Sequence, residues 1–447
     1  MKILFVSLGC DKNLADTEMM LGILRDQGFS FTDDETEAEI VIVNTCCFIG
    51  DAKEESINVL LEMAELKDSG RLKVLIAAGC LAQRYREEIL EEIPQVDAVV
   101  GTMATEEIGE TLKEVLAGEP RNHYRDLNVA PPVYRKRMLT TGGHYAYLKI
   151  AEGCGKYCTY CIIPKVRGDY RSIPMEELEA QAEFLAEQGV KELILVAQET
   201  TLYGADIYGK KSLPELLRRL AQVKGIYWIR LLYCYPEEIT EELMETIAEE
   251  PKICHYLDIP IQHASDAVLK RMGRRTTEEE LRERICRLRE RIPDICLRTT
   301  LISGFPGETQ EDFEELYRFV NEMEFDRLGV FPYSQEEDTP AAAMQDQIED
   351  SVKEARRDEL MELQQAIAFE KAEGMIGQEL EVVVEGRMTD EDVYVTRTYR
   401  DAPDVDGYLF LHTDRELMSG DFVRARVTDF NEYDLIGEMV DHREDEP

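Results

Sequence analysis

Positive charge is what this chain most lacks for its size: 51 lysines and arginines face 92 aspartates and glutamates, a net charge of −41 over 447 residues. That balance argues against a broad phosphate-gripping surface and favours a cationic partner or simple solubility. Apolar runs are also short, and none approaches the roughly 20 residues of a membrane span. The opening stretch from Met1 to Cys10 imitates a lipoprotein cleavage site. It is shorter than a signal peptide of roughly 15–30 residues, so a cytoplasmic protein with no membrane partner is expected. A dense disulfide pattern is missing as well, since eleven cysteines are spread over the whole length. Their clustering near glycine suits metal binding in a reducing compartment.

What is present is a run with metal-ligand spacing, Gly153-Cys154-Gly155-Lys156-Tyr157-Cys158-Thr159-Tyr160-Cys161. A cubane iron–sulfur cluster is normally held by four thiolates. Three within eight residues would leave one iron open to bind a substrate. A structural zinc site usually shows two separated Cys/His pairs, and the nearest histidine here, His144, is ten residues upstream. Inert burial of the three thiols is the other alternative.

The first hundred residues alternate short apolar runs, at 2–8, 40–43, 74–78 and 98–100, with amphipathic helical stretches. This alternation predicts an open parallel sheet with helices on both faces. Cys10, Cys46 and Cys80 each follow a predicted strand by one to three residues. All three would emerge on the carboxyl edge, where ligands of such sheets gather, and a second three-thiolate site follows. Cysteines at buried strand ends are its structural alternative. Cys47 is an awkward neighbour, because adjacent residues on an extended chain point to opposite faces.

Residues 118–143 carry Pro, Gly and a basic patch at 134–138 and read as a linker. Six further strand-like runs follow, at 146–150, 192–196, 228–232, 256–259, 297–302 and 328–331, with helical patterns between them. These predict an incomplete (βα)6 barrel, whose chemistry would lie at the carboxyl ends of the strands. The three-cysteine loop, Gln198, Gln262 and the Gly304 turn all fall there. A helix at about 348–373 leads into turn-punctuated β-branched and aromatic sequence, a small C-terminal antiparallel β-barrel of about five strands. Residues 375–447 hold seven arginines and no lysine against twenty carboxylates, a balance of −13, which disfavours RNA as the barrel's ligand. The expected division is 1–117, a linker at 118–143, 144–373 and 374–447, all within an α/β class.

Other polar groups sit near the same strand ends. The turn from Leu301 to Thr309 is by itself a βα turn with a capping threonine, although its glycines allow close backbone approach to a ligand. Arg298 on the same strand has the planar fork that pairs with a carboxylate. His263 is a candidate base, although a lone histidine is more often structural. Gln198, Glu199 and Asp206 are candidate cofactor or substrate contacts.

The three-cysteine loop, with the aromatic Tyr160 just before Cys161, resembles the radical S-adenosylmethionine (SAM) enzymes. The resemblance implies that the open iron chelates SAM and that the Gly304 turn, Arg298, Gln198 and Gln262 help to bind it. Over nearly the whole chain the order of domains resembles the methylthiotransferases: an amino-terminal methylthiotransferase domain, a radical SAM core and a TRAM domain. That likeness implies two 4Fe-4S clusters, one on Cys154, Cys158 and Cys161 and an auxiliary one on Cys10, Cys46 and Cys80, with Cys46 chosen over Cys47. The stretches at 7–14, 144–154 and 399–407 resemble the branch acting on an aspartate of small-subunit ribosomal protein S twelve. Gly155 stands where that family commonly has Asn, and Cys47 where it commonly has Gly.

The implied reaction places a methylthio group on the aspartate β-carbon. It requires a basic ribosomal protein, free or on the subunit, an external one-electron reductant and a sulfur donor. Alternatives are a tRNA adenosine methylthiotransferase, which the acidic charge disfavours, and a non-enzymatic iron–sulfur redox protein, which would need no SAM pocket.

Overall fold

In the computed structural model, residues 1–389 and 392–440 are described. Five parallel strands form the first sheet, in the order Ser30–Phe31, Lys2–Ser7, Ile40–Thr45, Val74–Ala78 and Ala98–Val100. The alternation Ile40-Val41-Ile42-Val43 explains its two-sided burial, because successive side chains leave opposite faces of a strand. Ile40 and Ile42 pack with Met20, Leu24, Ile108 and Leu112 of helices Asp11–Asp26 and Ile108–Leu116. Val41 and Val43 pack with Leu60, Met63 and Leu81 of Gly50–Asp68 and Gly79–Tyr85. The expected strands are all present, and the two-residue edge strand Ser30–Phe31 is added to them.

The second sheet has six parallel strands in the order Arg327–Pro332, Cys296–Ser303, Ile253–Asp258, Trp228–Leu231, Glu192–Val196 and Tyr145–Lys149. It does not close on itself, as expected of an incomplete barrel. Leu193, Leu195, Leu257, Leu297 and Leu301 point outward onto the helices. Tyr147, Ile194, Val196, Trp228 and Tyr256 point inward, where Ala15 of the first domain and Val383 and Ala402 of the last complete the cluster. The concave face is thus capped by both neighbouring domains.

The last domain is a closed five-stranded barrel, Glu379–Arg387, Val393–Thr398, Leu409–His412, Asp434–Met439 and Phe422–Asn431. It departs from the expected antiparallel pattern at one pair, because Leu409–His412 runs parallel to Asp434–Met439. Its loop at 399–406 locks onto the larger sheet. Arg400 binds Asp326 at 2.7 Å, Arg327 binds Asp401 at 2.5 Å, and Tyr145 and Tyr256 donate to Asp404 and Asp406 at 3.1 and 2.7 Å.

Residues 118–143 contain no helix or strand and strap the first two domains together. The basic patch does that strapping. Arg137 is buried and donates to the Tyr147 carbonyl at 2.7 Å, Arg135 pairs with Glu177 at 2.8 Å, and Met138 and Thr140 donate backbone N–H groups to Glu18.

Candidate cluster and cofactor site

The three-cysteine loop leaves the barrel through a small hairpin neck, Ala151–Glu152 paired with Arg171–Ser172, and ends in the short helix Ile163–Arg167. Its crown docks through backbone bonds: Thr159 N–H donates to the Met272 carbonyl, and Ala341 N–H donates to the Thr159 carbonyl, both at 2.9 Å. Cys154 and Cys158 are buried and Cys161 is half-buried. Cys158, Cys161, Pro164 and Thr339 help line an open cleft of about 770 Å³. Burial pushes the Cys154 thiol up to about 11. Burial raises the Cys161 thiol as well, so these two are reluctant thiolates until a cation offsets the desolvation.

Tyr160 stands edge-on to Phe305 with ring centroids 6.4 Å apart, which joins the loop to the turn after Ser303. Gln198 donates its amide to Glu152 at 3.0 Å and leaves its oxygen without a partner. Glu199 is fully buried, and burial raises its carboxyl to about 7 although Lys156 lies 3.7 Å away. Gln262 adopts φ +70° and threads its backbone between Thr300 and Ile302. These groups share the strand ends with the cysteine loop.

Four other candidate residues have protein partners in the structure. Arg298 pairs with Asp258 at 3.4 Å and with Asp406 of the C-terminal barrel at 3.2 Å. Five residues of strand lie between it and Gly304, a Cα separation of roughly 20 Å at about 3.3 Å per residue. Gly304, at φ +69°, has no room for a side chain, because Lys353 of Asp350–Glu373 occupies the space a Cβ would take. His263 is fully buried, accepts from the Ser265 N–H at 2.9 Å and is driven down to about 3 by burial, so it is a structural acceptor. Asp206 caps Ser172 at 2.6 and 2.8 Å in place of facing the loop.

One cation near the loop escaped the sequence reading. Arg274 lies over the Tyr235 ring at 4.3 Å, and its side chain is 1 % exposed. Its Nη2 donates to the Pro260 carbonyl at 3.1 Å and sits 3.8 Å from Glu237, while Nε and Nη1 have no hydrogen-bond partner. Tyr235 in turn places its hydroxyl 3.8 Å from the Cys158 sulfur. No local motif marks Arg274, and only the fold brings it there.

On the first domain the three strand ends converge as expected. Cys10 is the N-cap of Asp11–Asp26, and Cys80 lies in the first turn of Gly79–Tyr85. Gly9, at φ +87°, passes so close to Cys46 that a Cβ on it would lie 2.7 Å from the Cys46 Cβ and 2.8 Å from its sulfur. Buried Ser56 clamps Cys46 by bonding its N–H and its carbonyl, each at 2.9 Å. Asn13 ties the edge together, donating to the Leu8 and Thr45 carbonyls at 2.9 and 3.0 Å with its oxygen 3.7 Å from the Cys80 sulfur. Cys47 is fully buried in an apolar cluster that includes Leu60, Met63 and Cys80, and burial pushes its thiol up to about 12.

Two soft three-thiol sets suit iron–sulfur clusters. Among the described residues no three His, Cys, Asp or Glu side chains gather tightly enough for a single ion.

The parallel barrel and the three-cysteine loop at its strand ends define a radical SAM protein. Residues 148–320 match the radical SAM superfamily, residues 2–101 match the uncharacterized protein family UPF0004 and residues 376–440 match the TRAM domain. The chain is 63% identical to the ribosomal protein uS12 methylthiotransferase RimO of Lachnoclostridium phytofermentans, over 98% of this chain and 99% of that one. It is 51% identical to the RimO of Acetivibrio thermocellus, over 98% of each. The chain belongs to the RimO family of methylthiotransferases. The fold is also similar to the radical SAM methyltransferase TsrM of Kitasatospora setae, with a TM-score of 0.54 at 17% identity over 76% of this chain and 77% of that one.

Proposed function

We propose that the protein is a radical SAM enzyme that places a methylthio group on the β-carbon of an aspartate in ribosomal protein uS12. It would use SAM and two 4Fe-4S clusters. Bound together, these supply one-electron reductive chemistry, hydrogen abstraction from an unactivated carbon and a methylthio donor. Cys154, Cys158 and Cys161 hold the first cluster, and Cys10, Cys46 and Cys80 hold the second. Tyr160, Gln198, Glu199 and Gln262 shape the cofactor pocket. Arg274, with two buried nitrogens that lack hydrogen-bond partners, would join Arg298 as a candidate for pairing with the SAM carboxylate.

The observation that carries this reading is the presence of two separate three-cysteine sets, each at strand ends, linked through Arg167, which bonds Cys80 from the end of the three-cysteine loop. The enzyme's own charge selects the partner: a chain at −41 attracts a basic ribosomal protein and repels RNA. The substrate is met in the cytoplasm, free or on the small subunit, and an external reductant and a sulfur donor complete the reaction. No helix among the described residues is long and apolar enough to cross a membrane. Mass spectrometry of ribosomal proteins and tRNA from a deletion strain tests the assignment. A methylthio mass lost from uS12 and restored by the cloned gene is expected. A mass lost from tRNA with uS12 unchanged would favour the adenosine-modifying alternative.

A further inference from the structure

Arg167 is the last residue of the helix that closes the three-cysteine loop, yet its guanidinium lies inside the first domain. Its side chain is 2 % exposed. Nε donates to the Cys80 sulfur at 3.3 Å, Nη2 donates to Asn13 at 2.5 Å, and Nη1 bonds Asp16 at 2.7 Å and Glu152 at 3.1 Å. Both carboxylates are also bound by buried Lys149. The far oxygen of Glu152 accepts from the Gln198 amide at 3.0 Å and the Gly153 N–H at 3.3 Å. One continuous buried chain of charge-assisted bonds therefore runs from Cys80 to the neck of the three-cysteine loop.

We infer that Arg167 is a positioning residue that sets the reduction potential of the auxiliary cluster and holds Cys80 in register with the radical-generating loop. This rests on the two-cluster reading above. The warrant is electrostatic. An N–H donor, and a positive one above all, stabilises negative charge on a cluster sulfur, and hydrogen bonds to sulfur are among the factors that set cluster potentials. Arg167 is the described group that donates to a sulfur of this set from another domain. Its remaining nitrogens are held by Asn13, Asp16 and Glu152, which fixes the fork and makes the bond to Cys80 directional. Lysine at this position would keep the charge near Asp16 and Glu152 but lose the planar fork that reaches Cys80 and Asn13 together.

The test is a redox titration, followed by electron paramagnetic resonance, of anaerobically reconstituted full-length protein. Two signals are separated using one variant with Cys10, Cys46 and Cys80→Ala and another with Cys154, Cys158 and Cys161→Ala. Arg167→Lys and Arg167→Met are then compared with wild type. A downward shift of the auxiliary midpoint potential, larger in R167M than in R167K, with the other cluster unmoved, is the expected result. Loss of the auxiliary cluster alone would support the same role. Unchanged auxiliary midpoints, or equal changes in both clusters, would overturn it. A wild-type protein that shows one centre only would instead sink the two-cluster reading, and this inference with it.

Discussion

Arg397 of the C-terminal barrel and Glu192 of the radical SAM barrel, 205 residues apart in sequence, form a fully buried ion pair at 2.7 Å. Arg230 bonds the other oxygen of Glu192 at 2.7 Å and donates to the Tyr399 carbonyl at 2.6 Å. Removing one partner of such a group leaves an uncompensated buried charge, at a cost of about 3–5 kcal/mol. R397M is therefore predicted to unfold at markedly lower denaturant concentration than wild type. An unchanged midpoint would contradict this role of the pair.

The same pair predicts a pH dependence. Burial pushes the Glu192 carboxyl up, but Arg397 and Arg230 outweigh it and hold the group at about 2, against an ordinary 4.5. A depressed carboxylate stabilises the fold above its unfolded value, and that contribution disappears as pH falls from 4.5 toward 2. The stability gap between wild type and E192Q is predicted to be largest at neutral pH and to shrink across that window. A gap independent of pH would rule this out.

Gly9→Ala is predicted to unseat the auxiliary site alone. Alanine at φ +87° is strained, and its Cβ would meet Cys46. Reconstituted G9A is expected to bind about half the iron of wild type and still to cleave SAM. Full iron content would refute the close packing of Gly9 on Cys46.

The cysteines divide by task. Replacing Cys154, Cys158 or Cys161 with Ala is predicted to abolish 5′-deoxyadenosine formation, and C46A to spare it while stopping methylthio transfer. C47A is predicted to keep both clusters, because the family resemblance selects Cys46 as the ligand. Loss of the auxiliary cluster in C47A together with its retention in C46A would reverse that choice.

Much of this was legible locally. The runs at 40–43 and 74–78 announce strands buried on both faces, and three cysteines placed just past strand ends converge because parallel strands end on one edge. What could not be read depends on distant partners. Arg298 looks like a carboxylate receptor until Asp406, 108 residues later, is folded against it. The packing of Lys353, from the helix Asp350–Glu373, against Gly304 was likewise invisible in the local sequence. Arg167 and Arg274 carry no motif, since each owes its role to burial beside a cysteine loop. The parallel pair in the terminal barrel was hidden because strand-forming composition says nothing of direction.

Contacts of the terminal barrel also change how its role in recognition is to be tested. Deleting 375–447 would strip Glu192 of Arg397 and Arg298 of Asp406. Substrate binding and SAM cleavage are then predicted to fail together, with a lower unfolding midpoint. Charge reversal at exposed Asp414, Glu416 and Glu432 leaves those buried pairs intact. It is predicted to weaken binding of the basic protein without changing SAM cleavage. Unchanged binding would remove that face from recognition.

The most direct measurement incubates anaerobically reconstituted protein with SAM, a low-potential reductant, a sulfur donor and purified uS12, and follows methylthio-aspartate and 5′-deoxyadenosine by mass spectrometry. Wild type should form both, and C10A only the second. Methylthio product from C10A, or none from a wild-type protein carrying both clusters, would contradict the account.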